Sequence, residues 1–180
     1  MDRAEYFINR LLASKPDKQK LLNFGYNIDT VNSILLPYAF KVKNNELTNH
    51  DYIIDDLLNK YDLSELVIGE FTFLNQSIHK EFYIEFGVFD LFRVAIIKKS
   101  NEVVLLDEHE DIVCQKCAID ELHFLEALLM AEKFLNDNLF YNNDDIGYQK
   151  ATLEKAQKLA ELAGGKNYLD FYKTLIGCFI

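Results

Sequence analysis

Two cysteines three residues apart, Cys114 and Cys117, are the pair whose spacing is most typical of a chemical site in this sequence. Structural zinc takes four Cys or His ligands, and His109 is near enough to be a third, with Cys178 or His123 as a fourth. A C-x-x-C pair before a helix is also typical of thiol redox chemistry. The sequence holds no second C-x-x-C pair, and cysteine is often a small buried residue. A structural role is therefore preferred, with metal and redox roles as alternatives.

The second candidate is an acidic run of five consecutive residues, 107–111, reading DEHED. Neighbouring side chains in extended or turn structure point apart and do not converge on one metal ion or one reacting atom. The run therefore predicts a solvated loop. Its functional alternative is an acidic rim that binds a partner, and the predicted partner-binding residues are Asp107, Glu108, Glu110 and Asp111.

Catalytic machinery is not indicated elsewhere in the sequence. Three histidines, His50, His79 and His123, are far apart, and no Ser or Cys stands in a nucleophile motif. The run Gly164-Gly165-Lys166 lacks the upstream strand, the spacing and the Ser or Thr of a phosphate-binding loop. We predict that the protein is not an enzyme and needs no metal or cofactor.

The acidic run ends a stretch, 66–111, whose patterning is typical of β-strands. It is rich in Val, Ile, Phe and Tyr, and its apolar runs are separated by turn residues such as Ser100-Asn101. Asn tolerates the left-handed backbone that such a turn needs. We predict an α+β fold with a small antiparallel sheet over about residues 66–107 and strands near 66–74, 80–87, 91–98 and 102–107.

Helical periodicity flanks this stretch on both sides. Apolar residues recur at helical spacing in the N-terminal part, 1–62, with stops at Pro16, Gly25 and Pro37. Thr48 or Asn49 is expected to open the last N-terminal helix, on which Asp55 is expected to point outward. The C-terminal part, 118–177, predicts a long helix over 118–136, a second over 148–163 and a third opened by Asn167. These helices are expected to cover one face of the sheet, within a single domain.

Charge and composition bound the class of protein. The chain has 180 residues and a net charge of −10, and residues 101–145 hold twelve acidic residues against two lysines. Such a segment repels nucleic acid and anionic lipid, so neither nucleic acid nor a membrane is a predicted partner, whereas a basic protein is attracted. No stretch approaches the roughly 20 apolar residues of a membrane span, and the N-terminus lacks a signal-peptide pattern. Three cysteines do not suggest a secreted disulfide framework, so the predicted location is cytoplasmic.

Several short patterns occur together in one order over about residues 30–177. They are Leu35-Leu36-Pro37-Tyr38-Ala39-Phe40, Leu66-Val67-Ile68-Gly69, the arm from Asn101 to Asp107, Cys117-Ala118-Ile119 ahead of Leu125, and Ala163-Gly164-Gly165 ahead of Tyr168, Phe171 and Tyr172. In these patterns the sequence resembles the SUKH superfamily, which includes the yeast cell-wall synthesis regulator and many bacterial immunity proteins. Among its subfamilies, the sequence patterns resemble the fourth most closely.

The resemblance implies an α+β fold and, for bacterial members, binding and neutralisation of a cognate toxin. In polymorphic toxin systems that toxin is frequently a nuclease or a deaminase. It transfers no catalytic residues. The predicted function is a non-enzymatic protein-binding module that acts as an immunity protein against a basic toxin. The alternative is a general regulatory or scaffolding protein, with a Cys-based metal or redox protein ranked below it.

Overall fold

The sheet is a meander of six antiparallel strands, in which each strand pairs with its neighbours in the sequence. The computed structural model describes residues 2–43, 51–140 and 146–178. Within that part of the chain the strand order is β1-β2-β3-β4-β5-β6. The strands are β1 Val67–Ile68, β2 Phe71–His79, β3 Tyr83–Phe89, β4 Phe92–Ile97, β5 Val103–Leu106 and β6 Val113–Ala118.

The predicted α+β class with an antiparallel sheet is confirmed, but the predicted strand near 66–74 is two strands, β1 and β2, and the predicted end of the sheet is wrong. The sheet continues beyond residue 107 through a sixth strand, β6, which pairs with β5. This strand was missed because its sequence, VCQKCA, holds only one β-branched residue and has an exposed first half at the edge of the sheet. The expected turn at Asn101 is present, since its φ is 62°.

Helices flank the sheet in sequence on both sides, as predicted. Before it lie α1 Arg3–Ser14, α2 Lys18–Phe24, α3 Ile28–Leu35 and α4 Ile53–Lys60; after it lie α5 Glu121–Asn138, α6 Ile146–Leu162 and α7 Leu169–Leu175. Two short 3₁₀ helices, Leu36–Tyr38 and Lys166–Tyr168, precede α4 and α7.

Helix boundaries depend on capping residues, and several differ from the sequence expectation. Gly25 ends α2 with a φ of 109°, as its position predicts. Asn27 caps α3, and Asp120 caps α5, so α5 begins after the expected residue 118. Asn167 lies inside a 3₁₀ helix and does not cap α7. The proposed opening residues Thr48 and Asn49, and His50, lie outside the described residues.

One face of the sheet packs against the helices and forms the main core. Phe124 of α5 lies at its centre, with its ring centroid 5.5 Å from Phe71, 5.6 Å from Phe86 and 6.0 Å from Phe171. All four of these rings are fully buried. Burial of this aromatic cluster is a main source of stability, because each ring removes a large apolar area from water.

The other face of the sheet carries a second and smaller apolar cluster. It consists of Tyr83, Ala95, Val104 and Leu106, with Ile97 packed against it. The strand register places these residues together, since Ala95 lies opposite Val104. The candidate site described below lies against this outer cluster.

Asp55 of α4 is buried, which corrects the expectation that it points outward. Its carboxylate accepts hydrogen bonds from the hydroxyl of Ser77 and from Nε2 of His79, at 2.9 Å for the histidine. Both partners lie on β2 beside an irregularity in its pairing with β3. A buried carboxylate needs such partners, so Asp55 ties α4 to this strand.

A carboxylate from α5 caps α4 across the core. The backbone N–H groups of Ile53 and Ile54 donate to the two oxygens of Glu121 at 3.0 and 3.1 Å, while Tyr52 supplies no side-chain cap. Glu121→Ala is therefore expected to lower the free energy of unfolding by about 1–2 kcal/mol, the usual loss for a helix cap. Urea unfolding measures this value. Glu126→Ala on the same helix is the control, and equal losses in the two variants would contradict the capping role.

Candidate partner-binding site

The acidic run forms the loop between β5 and β6, and we call residues 107–112 the acidic loop. The carboxylate of Asp107 accepts the backbone N–H groups of His109 at 2.9 Å and Glu110 at 3.1 Å. The N–H of Asp107 donates to the carbonyl of Ile112 at 3.0 Å, which closes the loop at its base. Asp107 therefore shapes the turn by bonding to the backbone that follows it.

Arg93 on β4 binds the acidic loop through its backbone carbonyl groups and one carboxylate. Its Nε and Nη2 donate to the carbonyl of Asp107 at 2.9 and 2.7 Å. Nη2 also donates to the carbonyl of Glu110 at 2.9 Å and to the Asp111 carboxylate at 3.1 Å. A guanidinium presents several donors in one rigid plane, so a single side chain can bind three residues of the loop at once.

The same arginine links the loop to β3. Its Nη1 donates to the Glu85 carboxylate at 2.8 Å and to the Tyr83 hydroxyl at 3.1 Å. The Tyr83 hydroxyl in turn donates to Asp111 at 2.5 Å. Since Tyr83 belongs to the outer cluster and is 6% exposed, the acidic loop folds across that face of the sheet.

These contacts set the charges of the groups involved. Hydrogen bonds from Tyr83 and Arg93 hold the pKa of Asp111 below its ordinary value, and the two backbone N–H groups do the same for Asp107. Burial lowers the pKa of Arg93, but its hydrogen bonds with Tyr83, Asp111 and Glu85 outweigh this effect, so the pKa is raised. The arginine and both aspartates are charged at neutral pH and already engaged with each other.

The four predicted partner-binding residues therefore fall into two pairs. The carboxylate of Asp107 accepts hydrogen bonds inside the loop, and that of Asp111 accepts one from Arg93. Glu108 and Glu110 are exposed, and within the described part of the chain the side chain of Glu108 meets only His109, at 3.6 Å. The side chain of Asp111 is exposed as well, by 66%, but its carboxylate is held by Tyr83 and Arg93. Among the described residues, the two glutamates are therefore the exposed carboxylates of the loop that accept no hydrogen bond.

The rest of the acidic segment does not form one surface. Glu121 caps α4 and Glu132 is buried in the core, while Asp120 caps α5 and accepts from Nδ1 of His123 at 2.7 Å. Glu102 accepts from Lys116 at 2.6 Å. Asp144 and Asp145 lie outside the described residues. The charge excess of residues 101–145 is thus spread over the core and several surfaces, and the acidic loop is its compact part.

The cysteine pair lies within β6, and α5 begins four residues after Cys117. Cys114 is exposed and Cys117 is buried, and burial raises the pKa of the Cys117 thiol well above its ordinary value. A reactive thiol has a lowered pKa, so this placement does not favour the redox alternative. Within residues 2–43, 51–140 and 146–178, no three His, Cys, Asp or Glu side chains are grouped to hold a metal ion. His109 stands apart on the acidic loop, with its side chain 83% exposed.

The residues that sequence reasoning missed are Arg93, Tyr83 and Glu85. Their only signal is strand register: Glu85 lies opposite Ala95, and Arg93 opposite Val88 and Leu106, on the outer face of the sheet. The Ser77, His79 and Asp55 cluster was also missed. There both partners bind the same oxygen of Asp55, so the serine is not activated by the histidine.

Comparison of the chain with protein-family models, curated proteins and solved structures gives no match. Among the described helices, none combines the length and the apolar character that crossing a membrane requires.

Proposed function

We propose that this chain is a non-enzymatic immunity protein that binds and neutralises a basic toxin, of nuclease or deaminase type, from a bacterial polymorphic toxin system. The observation that carries the proposal is the hydrogen-bonded acidic loop between β5 and β6, on which the side chains of Glu108 and Glu110 are exposed. The sequence resemblance to the SUKH superfamily supplies the biological context, and the α+β fold agrees with what that resemblance implies.

Electrostatics explains why such a loop suits a nuclease. An enzyme that cleaves nucleic acid needs a basic surface to hold phosphates. A protein that places carboxylates against that surface competes for the same charges, and opposite potentials raise the association rate. Exposed charges are screened over about 8 Å at physiological ionic strength, so this rate falls as salt is added.

An apolar, Tyr-rich face of the sheet is the other surface through which such a protein could bind a toxin, and the described strands do not support it. The described strands contain one tyrosine, Tyr83, and it is 6% exposed beneath the acidic loop. Ala95, Val104 and Leu106 beside it are buried as well. The acidic loop is the part of this face that a partner meets first.

The proposal predicts a toxin reading frame beside this gene, and the test uses the protein that this frame encodes. Cells that express the toxin domain are expected to survive only when this chain is expressed with it, and the purified proteins are expected to form a complex. A complex without rescue of growth would support the regulatory or scaffolding alternative instead. Absence of both rescue and complex would overturn the proposal.

Neutralising the two exposed glutamates is expected to slow binding of that toxin. In Glu108→Gln/Glu110→Gln the association rate at low salt should fall roughly tenfold, as for loss of electrostatic steering, and should depend less on salt. Stopped-flow kinetics at several salt concentrations measures both quantities. The matched control is Glu154→Gln/Glu161→Gln, which makes the same charge change at exposed positions of α6. Equal rates and salt slopes in the two variants would remove the acidic loop from the mechanism.

A further inference from the structure

Arg93 makes more hydrogen bonds than an exposed ion pair on a protein surface requires. Its five N–H groups make six hydrogen-bond contacts, of which Nη2 shares two hydrogens among three acceptors, and three of the six end on backbone carbonyl oxygens of Asp107 and Glu110. The carbonyl contacts fix the path of the loop backbone, not only the position of a side chain. The contacts to Tyr83 and Glu85 fix the guanidinium to β3, and the contact to the Asp111 carboxylate is a further bond to the loop.

The carboxylates around Arg93 fall into two groups: those that are bonded within the protein and those that are not. The positive charge of Arg93 is met by Glu85, which is 7% exposed, and by Asp111. The carboxylate of Asp107 is turned onto backbone N–H groups inside the loop. The carboxylate of Glu110 has no hydrogen bond or ion pair within the described residues, although its carbonyl is held by Arg93. The loop is thus held through Asp107 and Asp111, while the carboxylate of Glu110 is left without a bond.

We propose that Arg93 is the positioning residue of the partner site: it presets the acidic loop so that cationic groups of the partner bind Glu108 and Glu110 and not Asp107 or Asp111. This inference rests on the proposed function, since it assumes that the acidic loop meets a basic partner. A loop that is already ordered loses little conformational freedom on binding, so affinity is higher than for a loose loop of the same charge.

Lysine cannot replace arginine in this role. Arg93→Lys keeps the positive charge but replaces a planar fork of five donors by one ammonium group on a flexible stem. The variant therefore separates positioning from charge. Loss of loop order with unchanged net charge is the signature that a purely electrostatic role would not produce.

The first experiment uses the free protein and needs no partner. Hydrogen exchange of the backbone amides of Asp107, His109 and Glu110, followed by NMR, is expected to become at least about tenfold faster in Arg93→Lys, because their bonds open when the clamp is lost. Amides in the α5 core should exchange as in the wild type. Arg10→Lys, at an exposed position of α1, is the matched control. Unchanged exchange in the loop would overturn the proposal whatever the partner.

The second experiment measures binding to the toxin that the proposed function predicts in the adjoining gene. Arg93→Lys is expected to dissociate about tenfold faster, with the salt slope of association unchanged, because order is lost and charge is kept. Asp111→Asn should leave that slope near the wild-type value, whereas Glu108→Gln/Glu110→Gln should reduce it. A reduction of the slope by Asp111→Asn equal to that of the glutamate pair would overturn the division of the acids.

Two features keep the failures distinguishable. If the adjoining toxin does not bind at all, the proposed function fails, while the exchange experiment still decides whether Arg93 orders the loop. If Arg93→Lys does not fold, Tyr83→Phe removes the hydroxyl that joins Asp111 to the sheet and keeps all charges. This variant should also speed amide exchange in the loop, and unchanged exchange in it would contradict the clamp.

Discussion

Replacing Phe124 by alanine is expected to lower the free energy of unfolding by about 3–5 kcal/mol, which is a large share of the roughly 5–15 kcal/mol of an ordinary domain. The ring is fully buried and is the only one in the described chain that contacts Phe71, Phe86 and Phe171 together. Its removal leaves a cavity between the sheet and two helices. The surrounding rings lie on β2, β3 and α7, so they cannot collapse into that space unless these elements move.

Guanidinium or urea unfolding followed by far-UV circular dichroism measures this loss. Leu122→Ala is the control on the same helix, because that side chain is 37% exposed and its loss should cost less than about 1 kcal/mol. A loss in Phe124→Ala no larger than in the control would contradict the central place of this ring. The variant also predicts a binding result: the acidic loop lies on the other face of the sheet, so toxin binding should fail only when the protein unfolds.

Sequence reasoning predicted elements whose signals are local. Gly25 ends α2 in a left-handed conformation, and Asn101 supplies the turn between β4 and β5, because both positions need a backbone that few residues adopt. The alternation from helical to strand periodicity near Leu66 is equally local, and the sheet begins there. Such features depend on a few neighbouring residues and can be read from them.

Features that depend on distant partners could not be predicted. The pattern of α4 places Asp55 on its polar side, yet Ser77 and His79 on β2 bury and bond its carboxylate. Glu121 looks like a favourable acid in the first turn of α5, but it caps a different helix. Both facts follow from how helices pack on the sheet.

The candidate site shows the same division. The five polar residues from 107 to 111 were correctly placed after the fourth predicted strand, since the strand and loop signals are local. Nothing in the run itself shows that Asp111 is engaged while Glu110 is open. That difference comes from Arg93, which is fourteen residues away from Asp107 and reaches the loop only because β4 pairs with β5.

Glu132→Gln is expected to make the protein more stable at neutral pH, by on the order of 1–3 kcal/mol. Glu132 lies in the interior of α5 and is 4% exposed. Its carboxylate accepts a hydrogen bond from the Tyr38 hydroxyl and one from Asn136 at 3.1 Å. Burial raises the pKa of Glu132 above its ordinary value of 4.5, although these two hydrogen bonds act in the opposite direction. The charged form is thus the one that folding disfavours.

The pH dependence follows from this raised pKa. Below pH 4.5 the side chain is protonated in both the folded and the unfolded protein, so its charge does not affect stability. As the pH rises above that value the unfolded chain releases the proton while the folded protein retains it, and the free energy of unfolding falls. The fall ends once the pH passes the pKa of the folded state. Glutamine has no proton to lose, so Glu132→Gln should lack this decline and still accept the bonds of Tyr38 and Asn136.

The measurement is the difference in unfolding free energy between Glu132→Gln and the wild type, taken at pH 4 and pH 8. Comparing the two proteins cancels the effect of other buried acids, such as Glu121, whose pKa burial also raises. The difference should favour the variant more strongly at pH 8. Glu126→Gln, the same change at a half-buried position of α5, should show no such trend. If Glu132→Gln is instead less stable than the wild type at pH 8, the bonds from Tyr38 and Asn136 outweigh the burial of the charge, and Glu132 stabilises the contact between α5 and the N-terminal helices.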